Sequence, residues 1–236
     1  MGDDRQEPMH GPLVTAGGER VKVWLSEQGL TGLLIMLVVD IFLLPIFGPG
    51  LGHITLDIVF SVLLVTGVAA LCERRFPRIL ALVFATLTLA SQWLERVGVD
   101  GFTILSSTVA SLTTMVIFSL LVLFRTMSPG PITRFRIQGA VAAYMLIGLT
   151  FGLAFRITEL LEPGAFQFAV DLLPSEIAYE LGYFSLVTLT TVGYGDVTPV
   201  SAMARSLAIF EGLIGQLYPV IILGWMVASL RTRQHD

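Results

Sequence analysis

The chain has 236 residues, of which 54% are hydrophobic and only 14% are charged, and its net charge is −4. A soluble domain carries about 25% charged residues and cannot cover this much apolar surface, so the composition excludes a soluble domain and indicates a membrane protein. The single cysteine, Cys72, excludes an internal disulfide framework.

Six apolar runs are candidates for membrane-spanning helices, because a hydrocarbon core of about 30 Å takes roughly 20 apolar residues in a helix. In chain order they are Leu30–Phe47, Ile54–Cys72, Ile79–Leu94, Phe102–Phe124, Ile137–Phe155 and Ala202–Leu230. The third run is short, so the bilayer has to thin locally around it. The last run is long, so its helix has to tilt. The sequence therefore predicts an all-α membrane protein with six transmembrane helices.

These runs divide the chain into five parts. A proline- and glycine-rich stretch after Met127 is typical of a turn and separates the first four runs from the last two. We expect a cytoplasmic N-terminal segment (1–28), a four-helix domain (29–126), a linker (127–136), a two-helix domain with a further apolar segment (137–230) and a cytoplasmic tail (231–236).

The distribution of basic residues predicts the orientation of the spans. Six spans put both termini on one side, and with the termini inside only Arg96, Arg156 and Arg205 of the fourteen Lys and Arg residues fall outside. Cytoplasmic segments carry such an excess of basic residues. We therefore expect a multi-pass protein of the plasma (inner) membrane with both termini in the cytoplasm.

The sequence gives no sign of a membrane enzyme. The three histidines, His10, His53 and His235, all lie outside the apolar runs, so a histidine-based metal site within the bundle is excluded. No nucleophile and base are paired at membrane depth. We expect a protein that is not an enzyme.

A seventh apolar stretch, Leu181–Val192, is too short to span the membrane. It is followed by Gly193, Gly195 and Pro199, which a spanning helix would not tolerate together. Irregular backbone at membrane depth is stable only where protein or a water-filled cavity surrounds it. The segment is therefore predicted to enter from the outer face as a short helix, about Glu176–Thr190, then turn and return.

The segment Tyr183–Pro199, which reads YFSLVTLTTVGYGDVTP, has the residues that a cation filter needs. Backbone carbonyls can replace the hydration shell of a cation if they all point toward one axis, which requires alternating backbone conformations, some with positive φ. Gly193 and Gly195 adopt positive φ at little steric cost. Tyr194 can pack outward as a brace, and Thr191 adds a hydroxyl oxygen at the inner end.

This segment, between the last two spans, resembles the pore of the potassium channel superfamily, whose filters are TVGYG loops. The resemblance implies that the carbonyls of Thr191, Val192, Gly193 and Tyr194, with the Thr191 hydroxyl, form stacked K⁺ sites in a filter that Gly195 completes. It also implies a homotetramer, because one chain supplies only one wall of the pore. Apart from K⁺ and membrane lipids we expect no cofactor, and we expect no nucleic-acid partner.

The same resemblance suggests which residues support the filter. Many relatives carry two tryptophans where this chain has Tyr183 and Phe184, and one of them anchors the filter aspartate, here Asp196. We hypothesise that the Tyr183 hydroxyl bonds to Asp196 instead. Some relatives carry a buried glutamate at the position of Val187, so this second brace is missing here. Thr190, at the end of the pore helix, is a further expected support.

The last run contains candidate gating residues. Gly215 lies twenty residues beyond Gly195, the spacing of a hinge glycine in the resembling family, and Gly212 and Pro219 are nearby. Proline removes a helical hydrogen bond and favours a bend. Small residues also allow helices to pack closely in membranes. The sequence leaves a hinge and a packing role open.

Three acidic residues lie in or near apolar runs: Asp40, Asp57 and Glu211. Ionisable groups within the membrane are functional or paired. Either a polar contact between helices or a sensing role is compatible with the sequence, which does not indicate their partners.

The six-span layout resembles voltage-gated channels, but the fourth run, Phe102–Phe124, contains no Lys or Arg. Voltage gating uses about 3–4 charges per subunit, so we expect little or no voltage sensitivity. Two alternatives remain: a cation uptake transporter, whose related loops usually keep a single glycine, and a poorly selective channel with a weakly braced filter.

Overall fold

A computed structural model describes residues 29–43, 101–128 and 133–232, together with single positions between 79 and 90. Several sequence predictions fall outside the described residues. These are the N-terminal segment 1–28, the second run (54–72), most of the third run, Asp57, part of the linker (129–132) and the end of the tail (233–236).

The described part of the chain is mainly helical. Its elements are α1 (Gly29–Leu43), α2 (Gly101–Thr126), α3 (Arg134–Leu161), β1 (Phe166–Phe168), α4 (Pro174–Leu189), β2 (Val197–Pro199) and α5 (Ala202–Thr232). The last five described residues of α1, Val39–Leu43, are π-helical.

Three helices in the described residues, α2, α3 and α5, are long and apolar enough to cross a membrane. They contain the predicted fourth, fifth and sixth runs. The described part of helix α1, Gly29–Leu43, covers most of the first run and is shorter than a span. Membrane insertion therefore follows from the described helices, while the total of six spans stays a prediction.

Helices α1, α2 and α3 share one apolar core. Leu33 and Leu37 of α1, Met115 and Val122 of α2, and Leu146 of α3 are all buried in it. Close packing of leucine and valine side chains in this core stabilises the fold through dispersion contacts between them. This core holds α1 and α2 directly against α3.

Polar side chains of α2 also pair with side chains of neighbouring segments. Ser119 of α2 and Thr150 of α3 have their hydroxyl oxygens 3.2 Å apart. Thr114 of α2 lies 2.6 Å from the hydroxyl of Thr88, one of the described positions of the third run. Such hydroxyl contacts are common between membrane helices.

A second core lies on the other end of α3, beneath the short sheet. Phe155 of α3, Phe166 of β1 and Phe184 of α4 form a ring cluster with centroids 5.0–5.5 Å apart. Tilted and edge-to-face aromatic pairs at these distances are favourable. The cluster fixes the second half of α4 relative to α3.

Strands β1 and β2 connect the chain before α4 with the chain after the filter. They pair antiparallel, with Phe166 opposite Pro199 and Phe168 opposite Val197. The backbone N–H groups of Val200 and Ser201 also donate to the Ala165 carbonyl, at 2.8 and 3.2 Å. The two ends of the re-entrant segment are therefore joined.

The pore helix α4 runs from Pro174 to Leu189, close to the prediction of Glu176–Thr190. Proline at the first helical position is favourable because its missing N–H would have no helical partner there. Glu176 Oε2 accepts a hydrogen bond from the Leu173 N–H at 2.9 Å and so closes the first turn. The helix ends where the filter backbone begins.

Candidate ion filter

The filter backbone has alternating conformations after α4. The φ angles of Thr191, Gly193 and Gly195 are 63°, 59° and 81°, and these are positive at every second residue. The two glycines are those that the sequence predicts. Thr191 is an addition that the sequence analysis missed, since left-handed backbone is uncommon for a β-branched residue and indicates a conformation imposed by its surroundings.

The inner end of the filter is hydrogen-bonded to the last turn of α4. The N–H groups of Val192 and Gly193 both donate to the Val187 carbonyl, at 3.0 and 3.4 Å. In a trans peptide the N–H of one residue and the carbonyl of the preceding residue point in opposite directions. The carbonyls of Thr191 and Val192 therefore point away from α4, toward the open side of the segment.

The outer end of the filter is held through Asp196. Its carboxylate accepts hydrogen bonds from the Tyr183 hydroxyl at 2.7 Å and from the Val197 N–H at 3.1 Å. Its backbone carbonyl accepts from the Ala169 N–H at 2.9 Å. The Tyr183–Asp196 bond is the contact that the sequence predicts, with the phenol hydroxyl as donor.

Replacing Tyr183 by phenylalanine is expected to destabilise conduction. Hydrogen bonds to a charged acceptor contribute about 1.5–3 kcal/mol, with the lower part of that range for an exposed pair. We expect lower and less stable single-channel currents. Tyr179→Phe, one turn earlier on the same helix, is the matched control; currents of Tyr183→Phe equal to those of this control would contradict a bracing role.

The other two predicted supports lie on α4. Phe184 is buried in the ring cluster with Phe155 and Phe166. Thr190 caps the C-terminal end of α4 and its hydroxyl donates to the Leu186 carbonyl at 2.7 Å. Phe184 therefore supports the filter through packing, and Thr190 supports it through the end of the helix.

Two tyrosines behind the filter were not identified from the sequence. The Tyr144 hydroxyl lies 2.9 Å from the Leu189 carbonyl and 3.4 Å from the Gly215 carbonyl, so it bridges α3, α4 and α5. The Tyr218 hydroxyl donates to the Ala140 carbonyl at 2.8 Å. The sequence feature that could have identified Tyr144 is its position, because it lies within an apolar run rather than at a membrane interface.

The predicted gating residues all lie on α5. A Cβ added at Gly215 would collide with the carbonyl oxygen of Leu189 and would lie 3.1 Å from its Cα, whereas a Cβ at Gly212 would meet nothing within 4 Å. Helix α5 continues through Pro219. The close approach at Gly215 favours the packing role, and the hinge stays a prediction.

Of the predicted intramembrane acids, Glu211 is fully buried and gains a partner in the structure. Its Oε1 is hydrogen-bonded to the hydroxyl of Ser185 on α4. Asp40 lies half-buried in the π-helical turn of α1, and Asp57 lies outside the described residues. The contact at Glu211 is a polar link between helices, one of the two roles that the sequence left open.

The filter itself is exposed on the surface of the single chain. Residues 191–196 are all exposed, and Tyr194 has 71% of its surface accessible. Tyr194 therefore has no close packing within its own subunit. One subunit presents the filter as a wall with an open side.

Comparison with known proteins finds similarity in this same part of the chain. Residues 177–231, from α4 to the end of α5, match the sequence model of a family described as "Ion channel". "Two pore potassium channel c" of Oryza sativa subsp. japonica is 36% identical over 86 residues, which are 36% of this chain and 17% of that protein. "Protein LctB" of Bacillus caldotenax is 49% identical over 41 residues, 17% of this chain and 30% of that protein.

"Two-pore potassium channel 2" of Arabidopsis thaliana is 39% identical over 54 residues, 23% of this chain and 12% of that protein. The matched part of this chain thus spans less than a third of the length of each of these relatives. No solved structure matches the chain. The filter geometry and the matched segment agree: this is a multi-pass membrane protein, and its segment from α4 to α5 is similar to ion channels.

Proposed function

We propose that this chain is one subunit of a potassium-selective channel that conducts K⁺ passively through the filter Thr191–Asp196. The observation that carries the proposal is the backbone of this segment, with positive φ at every second residue and carbonyls directed away from α4. Carbonyl oxygens arranged in this way replace the water shell of a dehydrated cation. The K⁺ sites would be formed by Thr191, Val192, Gly193 and Tyr194.

A homotetramer would complete this pore. The open side of the filter in a single chain leaves Tyr194 and Val192 exposed, and cyclic symmetry would place four such walls around one axis. Helix α5 also exposes large apolar side chains along its length, including Ile209, Leu213 and Val220. Neighbouring subunits and lipid are the surroundings that these side chains require.

The channel would respond weakly or not at all to membrane voltage. Helix α2, which contains the fourth run, has one basic residue, Arg125, in its last turn and none before it. Moving one charge through the membrane field gains about 2.3 kcal/mol per 100 mV, so a helix without charges in its body gains almost nothing. We further propose six spans in the plasma membrane with both termini in the cytoplasm.

The reversal potential in planar bilayers tests the selectivity. Purified protein would be placed between a potassium solution and a sodium solution, and we expect reversal near the potassium equilibrium potential. A reversal near zero would overturn selectivity for potassium. It would favour the alternative of a poorly selective channel. In that case the cause would be a weakly supported filter, because Val187 provides only its backbone carbonyl to the filter and no acidic side chain.

A further inference from the structure

Three elements meet behind the filter at the hydroxyl of Ser185. Ser185 lies on α4, and its Oγ is 2.5 Å from the Gly148 carbonyl of α3. The same Oγ is hydrogen-bonded to Oε1 of Glu211 on α5. Ser185 and Glu211 are both 0% exposed, so water does not compete for these contacts.

The number of protons at this junction indicates the state of Glu211. A serine hydroxyl has one proton to donate, and a backbone carbonyl can only accept. If Ser185 donates to Gly148, its second contact needs a proton from the Glu211 carboxyl. If Glu211 were ionised and accepted the Ser185 proton, the oxygens of Ser185 and Gly148 would face each other at 2.5 Å without a proton between them.

The surroundings of Glu211 are consistent with a neutral acid. Its second oxygen, Oε2, is buried without a hydrogen-bond partner among the described residues. From α3 the titratable group that faces it is the phenol of Tyr144, which is close enough to interact electrostatically, and from α4 its contact is the hydroxyl of Ser185. A carboxylate buried without a compensating cation is strongly unfavourable.

We propose that Glu211 is held as a neutral carboxylic acid that donates its proton to Ser185 and thereby fixes the inner helix α5 to the pore helix α4. Glu211 is a positioning residue. Ser185 lies two residues before Val187, whose carbonyl receives the N–H groups of Val192 and Gly193. A displacement of Ser185 would therefore be transmitted to the filter. This role rests on the proposed channel function, whereas the protonation state of Glu211 does not.

Infrared difference spectroscopy tests the protonation state. We expect purified wild-type protein at neutral pH to show the carbonyl band of a protonated carboxylic acid that is missing in Glu211→Gln. Glu162→Gln, which changes an exposed acid at the end of α3, is the matched control and should leave this band unchanged. Absence of the band from the wild-type minus Glu211→Gln difference would overturn the neutral state.

Potassium flux and thermal unfolding test the positioning role. The amide of Glu211→Gln can still donate to Ser185, so we expect flux within about twofold of wild type. Ser185→Ala leaves a buried acid without a partner, and we expect a loss of flux of about tenfold, which corresponds to about 1.4 kcal/mol. We also expect a lower unfolding midpoint for this variant.

In the double variant Ser185→Ala/Glu211→Leu no polar group is left unpaired, so the unfolding midpoint should recover toward wild type. Unchanged flux and midpoint in Ser185→Ala would overturn the positioning role. If wild-type protein failed to conduct potassium, the proposed function would fail, while the infrared band and the unfolding midpoints would still test the junction.

Discussion

Serine in place of Gly193 is expected to abolish selective potassium conduction. Gly193 has a φ of 59°, and a Cβ added there would meet nothing within 4 Å in the subunit. Within the subunit, then, the effect comes from the backbone rather than from a collision. A residue with a side chain costs roughly 1–2 kcal/mol in the left-handed region, or about 4–8 kcal/mol for four copies around a pore. The carbonyls of Val192 and Gly193 would turn to relieve this strain.

The measurement is the reversal potential with potassium and sodium on opposite sides, which we expect to move to zero or to become undefined because the current is lost. Gly164→Ser is the matched control. Gly164 also has a positive φ, 85°, and open space around its Cβ position, but it lies in the loop between α3 and β1. If the two variants altered selectivity equally, the effect at Gly193 could not be assigned to the filter.

The filter was predictable because its determinants are local. Positive φ at Gly193 and Gly195 follows from the residue type, and the bounds of α4 follow from an apolar stretch that ends at the glycines. The Tyr183–Asp196 hydrogen bond was predictable from a resemblance in which position 183 already faces the filter aspartate. In each case the sequence separation is small and the geometry is set by one helix and one turn.

The positive φ of Thr191 could not be predicted in the same way, because threonine disfavours that conformation. It is imposed by the hydrogen bonds that close the end of α4, from the Thr191 N–H to the Thr188 carbonyl and from the Val192 N–H to the Val187 carbonyl, a helix C-terminal pattern in which the intervening residue is left-handed. The residue type here opposes the observed conformation, and the backbone hydrogen bonds at the helix end determine it.

The support behind the filter was not predictable, because it depends on which faces of three helices meet. Tyr144 and Leu189 are 45 positions apart, and Ser185 and Glu211 are 26 apart. Hydrophobic patterning predicts that α3, α4 and α5 are helices but does not give their rotation about their axes. For the acidic residue in the last span the sequence left a polar contact and a sensing role open, and only the fold identifies its partner as Ser185.

Two glycines of α5, Gly212 and Gly215, allow the hinge and packing roles of Gly215 to be separated by Gly215→Ala and Gly212→Ala. Alanine favours a straight helix over glycine by about 1 kcal/mol at either position, so a bend in this region would be stiffened by both variants. A packing role predicts a large difference between them. A Cβ at Gly215 collides with the Leu189 backbone, whereas a Cβ at Gly212 lies in open space within the subunit.

We expect Gly215→Ala to lower the thermal unfolding midpoint and to reduce potassium flux severely, with Gly212→Ala close to wild type in both. Overpacking costs typically 1–3 kcal/mol, and here the obstructing atom cannot swing aside as a flexible side chain would. The Leu189 carbonyl is held by the Tyr144 hydroxyl at 2.9 Å, and the filter begins two residues later at Thr191. Relief of the collision would therefore move α5 away from the pore helix or move the start of the filter. The opposite result would be that both variants unfold at the wild-type temperature and that both lower only the open probability. Gly215 would then act as a hinge, and its contact with Leu189 would have to open as the helix bends.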